Sequence, residues 1–352
     1  MTLAPQFRSL LEETRSRRHP VVLGALCILR RNLPERFPGR LDRQERELLR
    51  DRLFAALAEM DCCREASFLK AELLDPAEMA CLAEFALLPE RQDLADDRRG
   101  LVLPAGARHS VRVGDGDHLC LQGHREGWEL EEIWADVDSL DAALEERLDF
   151  AFSEEFGYLT ASPRRAGTAL QCRALLHLPA LTLRGELPRL LRALDVLHGD
   201  VRLHGDGEGP GTLLELANSR SMGMSEDELV DGFAEVVNKL SAFEDRAREA
   251  LLTEARSLLE DRVWTAYGQL RYGRLLSAQT AAELLGTLSL GCRAGILEVV
   301  DYQGVQSMWR RVGDGGLQLL AGETLDPAAR DARRAEQLRR WLADLETAER
   351  KG

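Results

Sequence analysis

Two stretches carry residue types at a spacing that can do chemistry. Residues 154–181 pass from Glu154 and Glu155 through a Gly157-Tyr158 turn into the polar loop Ser162-Pro163-Arg164-Arg165-Ala166-Gly167-Thr168. The chain then becomes apolar up to His177-Leu178-Pro179. Alternation from Thr168 to about Leu176 predicts a strand, with Leu170, Cys172 and Ala174 on one face and Ala169, Gln171, Arg173 and Leu175 on the other. A polar loop feeding an inner strand is a plausible place for a site. The second stretch is Leu325-Asp326-Pro327 followed by Arg330, Asp331, Arg334 and Ala335. Arg330 and Arg334 lie one helical turn apart on one face, close to a helix start whose dipole favours anions. Paired guanidinium forks can clamp an anion there, and Asp331 can hold a cation. In a chain so rich in arginine, the same run can equally be a solvated face. The run Gly205 to Gly211 lacks the strand-turn-helix setting of a phosphate cradle and reads as a loop.

The elements that must position these residues change period along the chain. Residues 1–17 predict a short amphipathic helix, and 42–60 and 76–88 two more. Residues 90–100 are charged and turn-like. Strands follow at Leu101–Leu103 and Ser110–Val113, then a Gly-Asp-Gly-Asp turn at 114–117 and a returning strand at His118–Gln122. An acidic helix is expected from about Leu130 to Phe150, another at about 185–198, and strands near 201–204 and 212–217. Ser225 and Glu228 form a capping box, and the chain is helical from there to 295. A short interval at 296–322 has strand potential, and a last helix starts near Pro327.

At 352 residues and net charge −14, the chain can build two cores, and it argues against nucleic acid as a general partner. No apolar run reaches the length of a membrane span, and the first residues lack a signal-peptide pattern. The seven cysteines, at 27, 62, 63, 81, 120, 172 and 292, are irregularly spaced, which suits reduced cytoplasmic thiols. They offer no zinc spacing, so no metal is expected. Only Lys70, Lys239 and Lys351 are lysines, so no single arginine is strong evidence of an anion site.

Several pieces line up in order: Gly157-Tyr158-Leu159-Thr160, Ser162-Pro163, Gly167-Thr168, and His177 to Leu181. With Asp117-His118-Leu119, Asn218, Met222-Gly223, Ser225-Glu226 and Leu259–Gly268, they resemble the ATP:guanidino phosphotransferases, most closely the bacterial protein arginine kinases. The resemblance covers roughly residues 20–340. It implies an α+β, guanidino-kinase-like (glutamine-synthetase-like) antiparallel sheet flanked by helices, plus a mostly helical C-terminal domain. The expected division is an extension at 1–19, a phosphotransferase-like domain at 20–253 and a helical, dimerising domain at 254–352.

In that family arginines grip the ATP phosphates, and acidic groups position the acceptor guanidinium. The resemblance puts those arginines at Leu26, Ile28, Cys120 and Gln171, a catalytic glutamate at Gly116 and a cysteine at Ser162. A later motif maps onto Val201 or Arg202, with its acid at Asp206. Ser162 and Asp206 are thus vestigial catalytic positions, and Arg31, Arg173 and Arg202 remain as nucleotide-binding candidates. Arg30, Arg164 and Arg165 are further displaced replacements. A hydrogen bond to a charged group contributes roughly 1.5–3 kcal/mol, so four lost contacts remove roughly 6–12 kcal/mol. Micromolar binding amounts to only about 8 kcal/mol. The Arg330, Asp331, Arg334 and Ala335 run matches the family's phosphoarginine-binding motif.

The expected function is therefore a catalytically impaired relative of the protein arginine kinases that binds phosphoarginine or regulates. One alternative is an active kinase with relocated arginines, and another is a scaffold for an active kinase. No cofactor is expected, with Mg-ATP only under the first alternative. Expected partners are phosphoarginine-bearing proteins, a partner kinase and a second copy of the chain, with no nucleic acid and no membrane.

Overall fold

A computed structural model of the chain describes residues 19–88, 97–104, 108–195, 199–204 and 213–349, with the backbone alone for 193–195, 199–204 and 348–349. The helix expected at 1–17, much of the charged stretch at 90–100 and the Gly-rich run at 205–211 lie outside these residues.

The first strand, β1 (Val22–Arg31), sets the frame. Its alternation buries Ala25, Cys27 and Leu29 on one face and turns Leu26, Ile28 and Arg30 to the other. Helix α1 (Arg43–Ala58) starts at a capping box between Asp42 and Glu45 and leads to β2 (Ser67–Lys70) and α2 (Pro76–Glu84). Then come β3 (Gly100–Leu103), β4 (His109–Asp115), β5 (Asp117–Glu126) and the amphipathic α3 (Leu130–Glu145). A small hairpin, β6 (Phe152–Ser153) and β7 (Gly157–Tyr158), precedes β8 (Leu170–His177). Helices α4 (Pro179–Leu183) and α5 (Leu187–Asp195) are followed by β9 (Gly199–His204) and β10 (Leu213–Asn218).

Eight strands form one sheet in the order β2-β3-β4-β5-β1-β8-β10-β9, antiparallel at every pairing. Helix α3 packs Ile133, Val137, Leu140 and Leu144 against Cys27, Leu29, Leu119 and Leu121 in the main core. The approach is close at Gly123, where a Cβ would lie 2.8 Å from Val137 Cγ2 and 2.9 Å from Ile133 Cγ2.

The long α6 (Glu226–Glu254) opens on the expected capping box, with Glu228 N donating to Ser225 Oγ and Ser225 N to Glu228 Oε2. It joins the sheet to α7 (Arg256–Tyr272), α8 (Ala278–Arg293), α9 (Tyr302–Val312), α10 (Asp314–Ala321) and α11 (Pro327–Glu349). The interval 296–322, read as having strand potential, instead holds helices α9 and α10 after an irregular start at 296–301. Val305, Met308 and Val312 supply a helical apolar stripe on α9, which three nearby glycines obscure in the sequence. Helix α2 ends at Glu84, not 88, and neither β1 nor β2 was foreseen. The fold is the α+β antiparallel sheet with flanking helices and a helical C-terminal region that the resemblance implies.

Candidate functional site

The sheet face turned away from α3 collects the positions singled out in the sequence. Ile28 pairs in register with Gln122 on β5 and with Gln171 on β8. Leu26 pairs with His124 and Arg173, and Arg30 with Cys120. Cys120 in turn pairs with Arg112 on β4. Leu26, Ile28, Cys120 and Gln171 thus occupy adjacent places on three neighbouring strands, and the last three are buried. None of the four carries a charge that could meet a phosphate.

The arginines on this face are engaged. Arg30 Nη2 donates to Gln171 Oε1 at 3.1 Å, and its Nε lies 3.6 Å from Asp117 Oδ2. Burial pulls the Arg30 guanidinium below its ordinary pKa, against the opposing effect of Cys120 and Asp117. Arg112 bonds Asp115 at 3.1 Å. Arg173 shares Gln171 Oε1 at 3.1 Å and pairs with Glu215 at 3.2 Å. Between Arg30 and Arg112 the Cys120 thiol is pushed up by burial, while both guanidiniums pull it down. Arg112 and Gln122 were missed in the sequence, although the alternation of β4 and β5 would have put them on this face.

Arg31, expected to bind nucleotide, is placed by the same alternation on the α3 side of the sheet. Its Nη2 reaches Asp141 Oδ2 at 2.5 Å, and its guanidinium stacks 3.4 Å from the Tyr158 ring centroid. Arg202 pairs in register with Glu215 on β10, and Asp206 lies outside the described residues.

The loops at the edge of this face are tied together. Gly116 occupies the β4–β5 turn at φ 82°, the left-handed conformation that favours glycine. Asp117 Oδ1 accepts from Asn32 Nδ2 at 2.8 Å and from Ala161 N at 2.7 Å, which pins the Ser162 loop to β1. Ser162 is exposed and precedes the 3-10 turn Pro163–Arg165. Asp117 is the carboxylate that reaches this loop, since position 116 has no side chain.

A segment after α2 lies against the same face. Ala86 adopts φ 56°, and its carbonyl accepts from Gln122 Nε2 at 2.9 Å. Leu87 and Leu88 pack with Leu101, Leu103, Met79, Leu82 and Leu319 in a second apolar core.

The C-terminal cluster differs from the sequence expectation at one residue. Arg334 is fully buried. It donates to Val312 O at 2.8 Å, Leu276 O at 2.7 Å, Asp331 Oδ1 at 2.7 Å and Asp314 Oδ1 at 2.5 Å. Arg330 stands 3.6 Å from Asp314 Oδ2 with its side chain 25% exposed, and the Asp331 side chain is 37% exposed. Ala335 is buried. Asp314 thus sits between two arginines, and the outer face of the cluster is formed by Arg330 and Asp331.

Residues 49–247 match the model of the ATP:guanido phosphotransferase C-terminal catalytic domain, and the chain belongs to that family. Residues 256–352 match the protein-arginine kinase McsB C-terminal domain. The chain is 33% identical over 329 residues to the protein-arginine kinase of Symbiobacterium thermophilum, covering 92% of this chain and 93% of that protein. It is 37% identical over 272 residues to the protein-arginine kinase of Moorella thermoacetica, covering 77% and 78%. In fold it resembles the duplicated taurocyamine kinase of Schistosoma mansoni with bound transition state analog components. The TM-score is 0.60 at 18% identity, over 72% of this chain and 39% of that one.

Proposed function

We propose that this chain keeps the phosphotransferase scaffold as a binding and regulatory protein, a catalytically impaired relative of the protein-arginine kinases. The carrying observation is that Leu26, Ile28, Cys120 and Gln171 lie side by side on one sheet face. Phosphoryl transfer depends on positioned cations and charge neutralisation, and these four side chains supply neither. The ligand in view is a phosphoarginine-bearing protein, read at Arg330 and Asp331. A phosphoryl dianion would pair with Arg330 in competition with Asp314, Asp331 would take the ligand guanidinium, and Arg334 would hold the cluster in shape. Two copies of the chain are expected to pair through the helical region, as the resemblance implies.

Two measurements test this. Calorimetry with Mg-ATP should give no affinity tighter than about 1 mM, a binding energy of about 4 kcal/mol, and micromolar binding would overturn the impaired reading. Free phosphoarginine at about 100 times its dissociation constant should add ~2.7 kcal/mol of stability. No thermal shift, with Arg330→Ala making no difference, would sink the binding half.

The second reading, an active protein-arginine kinase, has one observation in its favour. Arg30 is the register partner of Cys120, so a guanidinium absent at 120 is supplied one strand away. Its Nη1 is buried and has no hydrogen-bond partner among the described residues. Acid-labile phosphate on an arginine-rich substrate would favour this reading. Co-purification with an active homologue would instead favour a scaffold role.

A further inference from the structure

Helix α10 begins in a glycine cradle closed around a carboxylate from a distant part of the chain. Glu84, the last residue of α2, accepts from Gly315 N at 2.6 Å. A Cβ at Gly313 would lie 2.0 Å from Glu84 Oε1, and one at Gly315 would lie 2.7 Å from Cys81 Cα. Glycine at these places is what lets the carboxylate and α2 approach the helix start, where free N–H groups and the dipole favour negative charge. Asp314 in the same turn is held by Arg330 and Arg334, so the cradle is fixed from behind.

Directly after Glu84 the chain turns through Ala86, in a conformation that non-glycine residues avoid. That turn delivers the Ala86 carbonyl, which accepts from Gln122 Nε2. A further pin comes from α9: Arg310 bonds Glu126 of β5 at 2.7 Å and lies 5.5 Å from the Phe85 ring centroid. Helix α2, the Phe85–Leu88 turn and the α9–α10 corner are therefore fastened to one another and to the sheet face that carries Ile28, Cys120 and Gln171.

We propose that the Glu84 carboxylate is the catch of an intramolecular latch. Docked on the α10 cradle, it holds α2 and the 85–88 turn over the sheet face; undocked, it lets that segment lift and uncovers the face. The inference is independent of whether the protein transfers phosphate.

The protein's own thiols report the latch. Cys81 lies on α2 against the cradle and Cys120 on the covered face, both buried, whereas Cys62 is exposed and Cys27 and Cys172 sit in the other core. The full chain is pulsed with a small alkylating reagent, and each cysteine is quantified by mass spectrometry. Local opening sets the labelling rate of a buried thiol, so Glu84→Ala should speed alkylation of Cys81 and Cys120 together by ~10-fold or more. Cys62, Cys27 and Cys172 should keep their wild-type rates. Gly315→Ala, whose Cβ would lie 2.9 Å from Glu84 Oε2, should reproduce the paired acceleration. Acceleration of Cys81 alone would overturn the proposal, as would no acceleration in either variant. So would Cys27 and Cys172 rising in step with the reporters, which marks global unfolding.

Discussion

Arg30 and Cys120 face each other in register across β1 and β5, and Arg112 flanks Cys120 from β4. An arginine at 120 would add a third guanidinium to a buried row already balanced by Asp115 and Asp117. Cys120→Arg is expected to cost ~3 kcal/mol or more in urea unfolding, as an uncompensated buried charge. Removing the neighbouring guanidinium should recover much of that. Arg30→Ala combined with Cys120→Arg should show a coupling of at least ~1.5 kcal/mol in a double-mutant cycle. Strictly additive losses would mean that the two positions do not exchange one guanidinium for another.

The two arginines of the C-terminal cluster should separate in their effects. Arg334 is buried and meets two backbone carbonyls and two carboxylates, so Arg334→Ala strands several polar groups. It should lose ~3–5 kcal/mol. Arg330 is partly exposed and its ion pair is long, so Arg330→Ala should cost less than ~1 kcal/mol. Equal losses from the two, measured in urea, would contradict this division of labour.

The Ser225 capping box made the start of α6 legible in the sequence, and alternation made β8 legible as one strand of the chemistry-bearing face, whereas β1, apolar and then basic, does not read as a strand. Alternation along β1 assigns Arg31 to the α3 side, a placement that matching a motif residue by residue does not reveal. Other features depend on partners far along the chain. Gln122 meets Ala86 from 36 residues away, and Gly315 meets Glu84 from 231. Gly313, Gly315 and Gly316 read locally as helix breakers. They are explained by contacts with Glu84, Cys81 and Arg310 that a linear reading does not contain.

Gly123 offers a direct check on the packing of α3. Its added Cβ would press on Val137, Ile133 and the Ile133 carbonyl, so Gly123→Ala should lose ~1–3 kcal/mol through overpacking. Trimming the opposing side chain with Val137→Ala should make the pair less costly than the sum of the singles in chemical denaturation.

Glu244 gives the fold a pH dependence whose sign can be stated. This α6 residue is buried, and its carboxylate accepts from Ala180 N at 2.8 Å and Leu181 N at 3.0 Å. Burial pushes its pKa from 4.5 to about 7, against the pull of those N–H groups, Arg293 and Arg248. Between those two values the folded protein keeps a proton that the unfolded chain has released. Raising the pH through this window therefore lowers stability, by on the order of 3 kcal/mol. His19 works the other way: burial pulls it down to about 4, so its contribution falls as the pH drops below 6.5. Asp141, pushed up to about 6 by burial, adds to the Glu244 trend. The total profile is composite, and the difference between wild type and Glu244→Gln isolates one group. Urea unfolding from pH 4.5 to 7.5 should show the variant losing less stability than wild type as pH rises, whatever constant offset the lost hydrogen bond adds. Parallel profiles would mean that Glu244 titrates in the folded protein as it does in the unfolded chain.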